Sequence, residues 1–198
     1  MTSLRKFVGA PPPSPSPKQA LERCEMCGVD VASSHNHVVD IDHRALLCVC
    51  RPCFLLFTRS DTGKFRAVPE RYLSDPSLTL GEWQGLGIPV GTAFFLRGET
   101  GLAAFYPSPA GATECLLDLA AWTDLASSHP LLASARPEVE AILIREVSGT
   151  VECYLVPIDA CYQLVGTVRL YWKGFDGGTE ALSAIEAFFA DVRSKAGA

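Results

Sequence analysis

Cys24-Glu-Met-Cys27-Gly28, answered further on by Leu47-Cys-Val-Cys50-Arg-Pro-Cys53, decides how the first third of this chain folds. Each C-x-x-C pair bends the backbone so that two sulfurs converge on one point. Two such knuckles supply the four thiolates of a tetrahedral metal site. The concentration is pronounced: of eight cysteines and four histidines in 198 residues, Cys24, Cys27, Cys48, Cys50, Cys53, His35, His37 and His43 share this window. The spacing predicts Cys24, Cys27, Cys50 and Cys53 as the ligand set. Cys48-Val-Cys50 puts two sulfurs on one face of a strand, so Cys48 can replace Cys50 or sit beside the site. His35, His37 and His43 are ligands by type, but four cysteines at the right spacing leave them to the surroundings of the site.

A closed four-thiolate set favours structural zinc, which is redox-inert and leaves no open position. Iron is the alternative, as in rubredoxins, where a glycine follows each pair. Cys27-Gly28 obeys that pattern and Cys53-Phe54 departs from it. A second knuckle running into an apolar helical segment looks more like a zinc ribbon or treble clef. His37-Val-Val-Asp-Ile-Asp-His43 with the first knuckle also resembles HNH nucleases, but the usual asparagine and later histidine are missing.

Around this window the chain divides into three expected regions. Residues 1–18 carry Ala10-Pro-Pro-Pro-Ser-Pro-Ser-Pro17 and read as a disordered, extended proline-rich tail. Residues 19–69 form the metal-binding module, opening with a helical turn near Gln19–Arg23. Within it, Val38–Ile41 and Ala45–Val49 are strands joined at Asp42-His43-Arg44. Residues 70–198 form a larger α+β unit. There, Thr79-Leu-Gly-Glu82 matches a capping box opening a helix over 80–86. Runs 90–96 and 102–106 are strands joined through 97–101, and Asp118 caps a helix reaching about Ser127. A second hairpin, 140–147 with 150–156, turns at Ser148-Gly149. Leu164–Trp172 reads as a strand from its β-branched and aromatic content. Gly174–Gly178 is a turn, after which Thr179 caps a final helix with an Ile185, Phe188, Phe189, Val192 stripe. The class is α+β: a small four-cysteine module of zinc-ribbon or treble-clef type, then an antiparallel sheet with flanking helices, covered on one face.

Apolar residues make up 48% of the chain and the formal charge is -5, enough for a core and too mild for bulk attraction to nucleic acid. No run approaches the roughly 20 apolar residues of a membrane span. Arg5 and Lys6 have no apolar segment behind them, so no secretory signal is expected and the cytoplasm is the expected compartment. Thiols stay reduced there, which favours metal ligation over disulfides. Cys115, Cys153 and Cys161, scattered among apolar residues, read as small buried hydrophobes.

Two segments of the larger unit are candidate sites. Tyr106-Pro-Ser-Pro-Ala-Gly-Ala-Thr-Glu114 leaves a strand with an extended backbone, and Ser108, Thr113 and Glu114 could line a pocket at the sheet edge. A rigid linking loop is the plainer reading. Asp159, Cys161 and Tyr162 cluster in sequence, but His129, the one histidine beyond the window, reads as a helix C-terminus. No phosphate-binding Gly-rich loop, nucleophile elbow or H-E-x-x-H motif occurs.

Taken together, Leu47–Cys53, Gly87-Ile-Pro-Val-Gly91, Tyr106–Glu114 and Val156-Pro-Ile-Asp-Ala-Cys-Tyr162 carry a resemblance. From about residue 20 the chain resembles an uncharacterised, mainly actinobacterial family encoded near NiFe-hydrogenase gene clusters. That resemblance implies a role in hydrogenase assembly, maturation or function. Three expectations follow: a non-catalytic accessory or subunit protein with a structural metal and a protein partner, a rubredoxin-like iron electron carrier, or an enzyme with a pocket at 106–114. The first is preferred, with neither nucleic-acid binding nor membrane insertion.

Overall fold

Two antiparallel sheets organise the chain, and the computed structural model describes residues 22–59, 63–98, 101–174 and 176–197. The expected tail at 1–18, most of the helical turn at 19–23 and the tip of the 97–101 hairpin lie outside them. The first sheet has order β2-β1-β3, from β1 (Asn36–Asp40), β2 (Ala45–Val49) and β3 (Phe65–Ala67). Asp40 pairs with Ala45, so the connection is tight. The Asp40 carboxylate accepts from both the backbone N–H and Nδ1 of His43, which closes the turn. The short helix α1 (Arg51–Leu55) follows β2, with Cys50 at its N-cap and Pro52 in its first turn, where a missing N–H costs nothing.

The second sheet has order β4-β9-β8-β5-β6-β7. Its strands are β4 (Leu73–Ser74), β5 (Thr92–Gly98), β6 (Gly101–Ser108), β7 (Gly111–Cys115), β8 (Glu140–Val147) and β9 (Thr150–Pro157). The β8–β9 hairpin turns at Ser148-Gly149, both at positive φ (52° and 82°), the conformation that a tight two-residue turn demands. Helix α2 (Leu80–Gly85) begins with the expected capping box between Thr79 and Glu82. Helix α3 (Leu119–Ser128) is capped by Asp118, and α4 (Pro130–Ala133) follows directly.

Both faces of this sheet are covered, where one was expected. Along β8, Ala141 and Leu143 enter one core while Ile142 and Ile144 enter the other. That is the period-2 alternation of a strand buried on both sides. The first face packs on α5 (Ile158–Tyr171) and α6 (Gly178–Ala196), and the second on α2, α3 and α4. Val39 and Val68, from the first sheet and the segment after it, belong to the α5–α6 core.

Three further sequence expectations are corrected by the structure. Leu164–Trp172 is the second half of α5, not a strand. Cys161, Leu164, Val165 and Val168 recur at helical spacing, and burying that stripe outweighs the β preference of the individual residues. The 106–114 run is not a linking loop either: Tyr106 pairs with Thr113 and Pro107 with Ala112 across the β6–β7 hairpin. The proline is tolerated because β6 pairs with β5 only as far as Phe105, so no partner strand needs its missing N–H. The final helix starts at Gly178 rather than after Thr179. Its N-cap Gly177 sits at φ 86°, with Trp172 so close that a Cβ would meet the indole at 2.9 Å. Phe175, within the expected 174–178 turn, lies outside the described residues.

Among the described residues, no helix is long and apolar enough to cross a membrane.

Candidate metal centre

The first knuckle is built by backbone hydrogen bonds. Cys24 N donates to Val29 O and Gly28 N to Cys24 O, each at 2.8 Å, folding the Cys24–Cys27 turn back on itself. Gly28 takes φ 76°, a left-handed conformation that a side chain would strain although open space surrounds it. Glu25 fastens this turn to β2: its N–H donates to Cys48 O at 2.9 Å and its carboxylate accepts from Cys48 N at 2.6 Å. The second knuckle is the start of α1, where Phe54 N donates to Cys50 O at 3.0 Å. A knuckle, a hairpin and a helix N-terminus are the components of a zinc-ribbon or treble-clef-like module.

Cys24, Cys27, Cys50 and Cys53 offer sulfurs that all lie within 4.8 Å of one another, and the Cys27–Cys50 separation is 3.6 Å. A zinc ion with Zn–S bonds of about 2.3 Å at tetrahedral angles sets its sulfurs about 3.8 Å apart. The four are therefore close enough together to share one such ion. Cys24 is buried with Val31, Val38, Val49 and Phe54 in a small core, while Cys27 stands at the surface.

The electrostatics of the four thiols are uneven. Burial works against ionising Cys24, but amides of Cys50, Cys27 and Met26 donate toward its sulfur and bring its pKa down to about 6. Cys53 is pushed the other way, to about 12, by the Cys50 sulfur, by burial and by the Cys27 and Cys24 sulfurs. At Cys27 the Val29 amide lowers the pKa, yet the sulfurs of Cys24 and Cys50 leave it raised overall. One anion is welcome in this pocket and four are not, unless a cation neutralises them.

The remaining cysteine of the window stands elsewhere. Cys48 opposes His37 across the β1–β2 hairpin, and its sulfur groups with ring nitrogens of His35 and His37 rather than with the other thiols. Cys50 has left the strand to cap α1, so the parity that placed both sulfurs on one face does not hold. His43 is bound to Asp40 in the hairpin turn and joins neither group.

In the larger unit the two candidate segments meet in part: Gly111 and Ala112 border one cavity with Cys161 and Tyr162, while Ser108, Thr113, Glu114 and Asp159 do not line it. The Ser108 hydroxyl closes its own hairpin, donating to Gly111 O at 3.0 Å and lying 2.9 Å from the Thr113 hydroxyl. Asp159 accepts from His37 Nδ1 at 2.8 Å. Cys153 and Cys161 are buried as expected, and burial raises both thiols, Cys153 to about 12. Cys115 is part-buried against the α2–α4 core. His129 is buried between two carboxylates, with Nδ1 2.8 Å from Asp75 and Nε2 3.2 Å from Glu82. Its role there is to cross-link α2 and the α3–α4 junction. The sequence held no signal for that triple, since its members are far apart in the chain.

Residues 23–196 match the model of DUF5947, a family of unknown function, and the chain belongs to that family. Neither a curated protein nor a solved structure matches it.

Proposed function

We propose that Cys24, Cys27, Cys50 and Cys53 hold one zinc ion as a structural pin and that the protein acts without catalysis, as an accessory or subunit that binds a protein partner. The observation that carries this reading is the gathering of four sulfurs within 4.8 Å of one another, fed by amides that favour thiolate at Cys24. Four protein ligands leave no position for substrate. Exposed Leu55 and Leu56, beside the second knuckle, give the module an apolar surface suited to a partner. The motif resemblance to an actinobacterial family encoded near hydrogenase genes makes a hydrogenase subunit or maturation factor the partner of choice.

A second reading, a single iron used for electron transfer, draws on the exposure of Cys27, which would bring the metal near the surface. The buried Phe54 in place of the second rubredoxin-like glycine weighs against it. Metal analysis and a visible spectrum of the purified full chain separate the two. Zinc thiolate is colourless and ferric thiolate is red. Metal-free protein with a folded window would end both readings, and tagged chain that enriches no hydrogenase component from a hydrogenase-producing host would end the partner assignment.

A further inference from the structure

His35, His37 and Cys48 form a second constellation on the opposite side of the β1–β2 hairpin. Val38 and Val49 face the four-cysteine site with Phe54, whereas Val39 and Leu46 join the core against α5. His37 and Cys48, directly opposed in register, share the α5 side of that hairpin. One ring nitrogen from each histidine and the Cys48 sulfur lie within 4.8 Å of one another.

The hydrogen bonds of the two imidazoles single out which nitrogen is available. His35 Nδ1 donates to Ala32 O at 2.8 Å, and His37 Nδ1 donates to Asp159 Oδ2 at 2.8 Å. In the neutral form of each ring, these bonds leave Nε2 as the nitrogen with a free lone pair. A metal-ligating histidine is oriented in the same way, by a carbonyl or carboxylate on its far nitrogen. His35 Nε2 is buried and lacks a hydrogen-bond partner among the described residues, and the side chain as a whole is only 9% exposed. A buried acceptor with nothing to accept calls for a ligand.

We infer that His35, His37 and Cys48 form a second metal site, taking a divalent ion of the zinc class through two imidazole nitrogens and one thiolate. Such a site requires ligand separations of about 3.3–3.6 Å, within the 4.8 Å limit inside which the three atoms lie. Three protein ligands leave the fourth position of a tetrahedral ion to water. His35, His37 and Asp159 also border a cleft of about 400 Å³, together with Asn36, Glu70 and Lys195, although Cys48 does not line it.

Zinc added to the full chain, followed by desalting and metal analysis, tests the site. Wild type is expected to retain two ions per chain, and His37→Ala and Cys48→Ala one each. Retention of the other ion by a variant shows that its knuckles are intact. X-ray absorption at the zinc edge of the wild type adds a readout that needs no variant, since imidazole and sulfur neighbours scatter differently. Two ions in both variants, one ion in a wild type whose neighbours are all sulfur, or two ions with no imidazole signal would overturn the inference. A wild type holding one ion with mixed nitrogen and sulfur neighbours would support this site while refuting the four-cysteine one.

Discussion

His37 Nδ1 donates to Asp159 Oδ2 at 2.8 Å, joining residues 122 apart in sequence. The bond ties the β1–β2 hairpin to the first turn of α5. Val39 and Val68 reinforce it by entering the core that α5 and α6 share with the second sheet. The cysteine module is therefore docked on the larger unit through both packing and a polar tether. Whatever orders the module also orders one flank of α5.

Asp159→Ala removes the acceptor that orients His37. If the His35–His37–Cys48 site binds zinc, its affinity should fall about 10–100-fold, the usual effect of losing the group behind a ligating histidine. Competition titration against a zinc-binding dye measures this. Unchanged affinity would show that Asp159 serves docking alone.

Cys24→Ser or Cys53→Ser should abolish the four-cysteine ion and unfold the surrounding window. Structural zinc contributes about 10–16 kcal/mol in small zinc-binding peptides. The five-residue core of Cys24, Val31, Val38, Val49 and Phe54 is too small to replace it. Hydrogen exchange should rise sharply across 22–59. Protection in β8 and β9 should persist, because those strands are covered by helices on both faces. A strong chelator acting on wild type should reproduce the pattern, and protection unchanged by either treatment would refute it.

These two sites differ in how far the sequence disclosed them. The C-x-x-C pairs, the Thr79–Glu82 capping box and the Ser148-Gly149 turn are local devices, readable because partner residues lie a few positions apart. Asp159, His37 and Cys48 meet through long-range packing, and only the hairpin register, once known, places Cys48 opposite His37. The second half of α5 reads as a strand because Val165, Val168, Leu170 and Tyr171 favour strands individually. Its helical stripe carries a turn's worth of buried residues on one side only, a signal weaker than composition over so short a window. Strand β7 is hidden behind Pro107 and Pro109, and β4, at two residues, is too short to leave a periodic trace.

Arg71→Met should be strongly destabilising. Glu140 is fully buried at the start of β8, and Arg71 meets it with two hydrogen bonds, Nε to Oε1 at 2.9 Å and Nη2 to Oε2 at 2.6 Å. The Arg136 amide adds a third at 2.8 Å. Removing the guanidinium strands a buried carboxylate, at a cost of about 3–5 kcal/mol. Urea denaturation should show it as a fall in midpoint. The double variant Arg71→Met, Glu140→Gln should recover part of the loss, since a neutral amide is cheaper to bury than an unpaired charge.

His129 should make stability decline above neutral pH. Burial disfavours its charged form, but hydrogen bonds and charge from Asp75 and Glu82 overcome that and raise its pKa above the ordinary 6.5. A group raised in the folded state stabilises fully below its unfolded pKa and loses that contribution as pH climbs through the folded value. Its partners are shifted downward. The Thr79 hydroxyl and amide, with His129, bring Glu82 to about 2; at Asp75, hydrogen bonds from Ser77 and His129 outweigh burial. Their contribution is present above their unfolded values and fades as pH falls. The three groups together favour a plateau from about pH 4.5 to 6.5, with a decline on the alkaline side assigned to His129. Urea midpoints across pH 5 to 9 should fall more steeply for wild type than for His129→Gln above pH 6.5. NMR titration should also find the imidazole losing its proton above 6.5. Parallel curves for the two proteins, or a ring that titrates below 6.5, would assign the buried histidine to its neutral form.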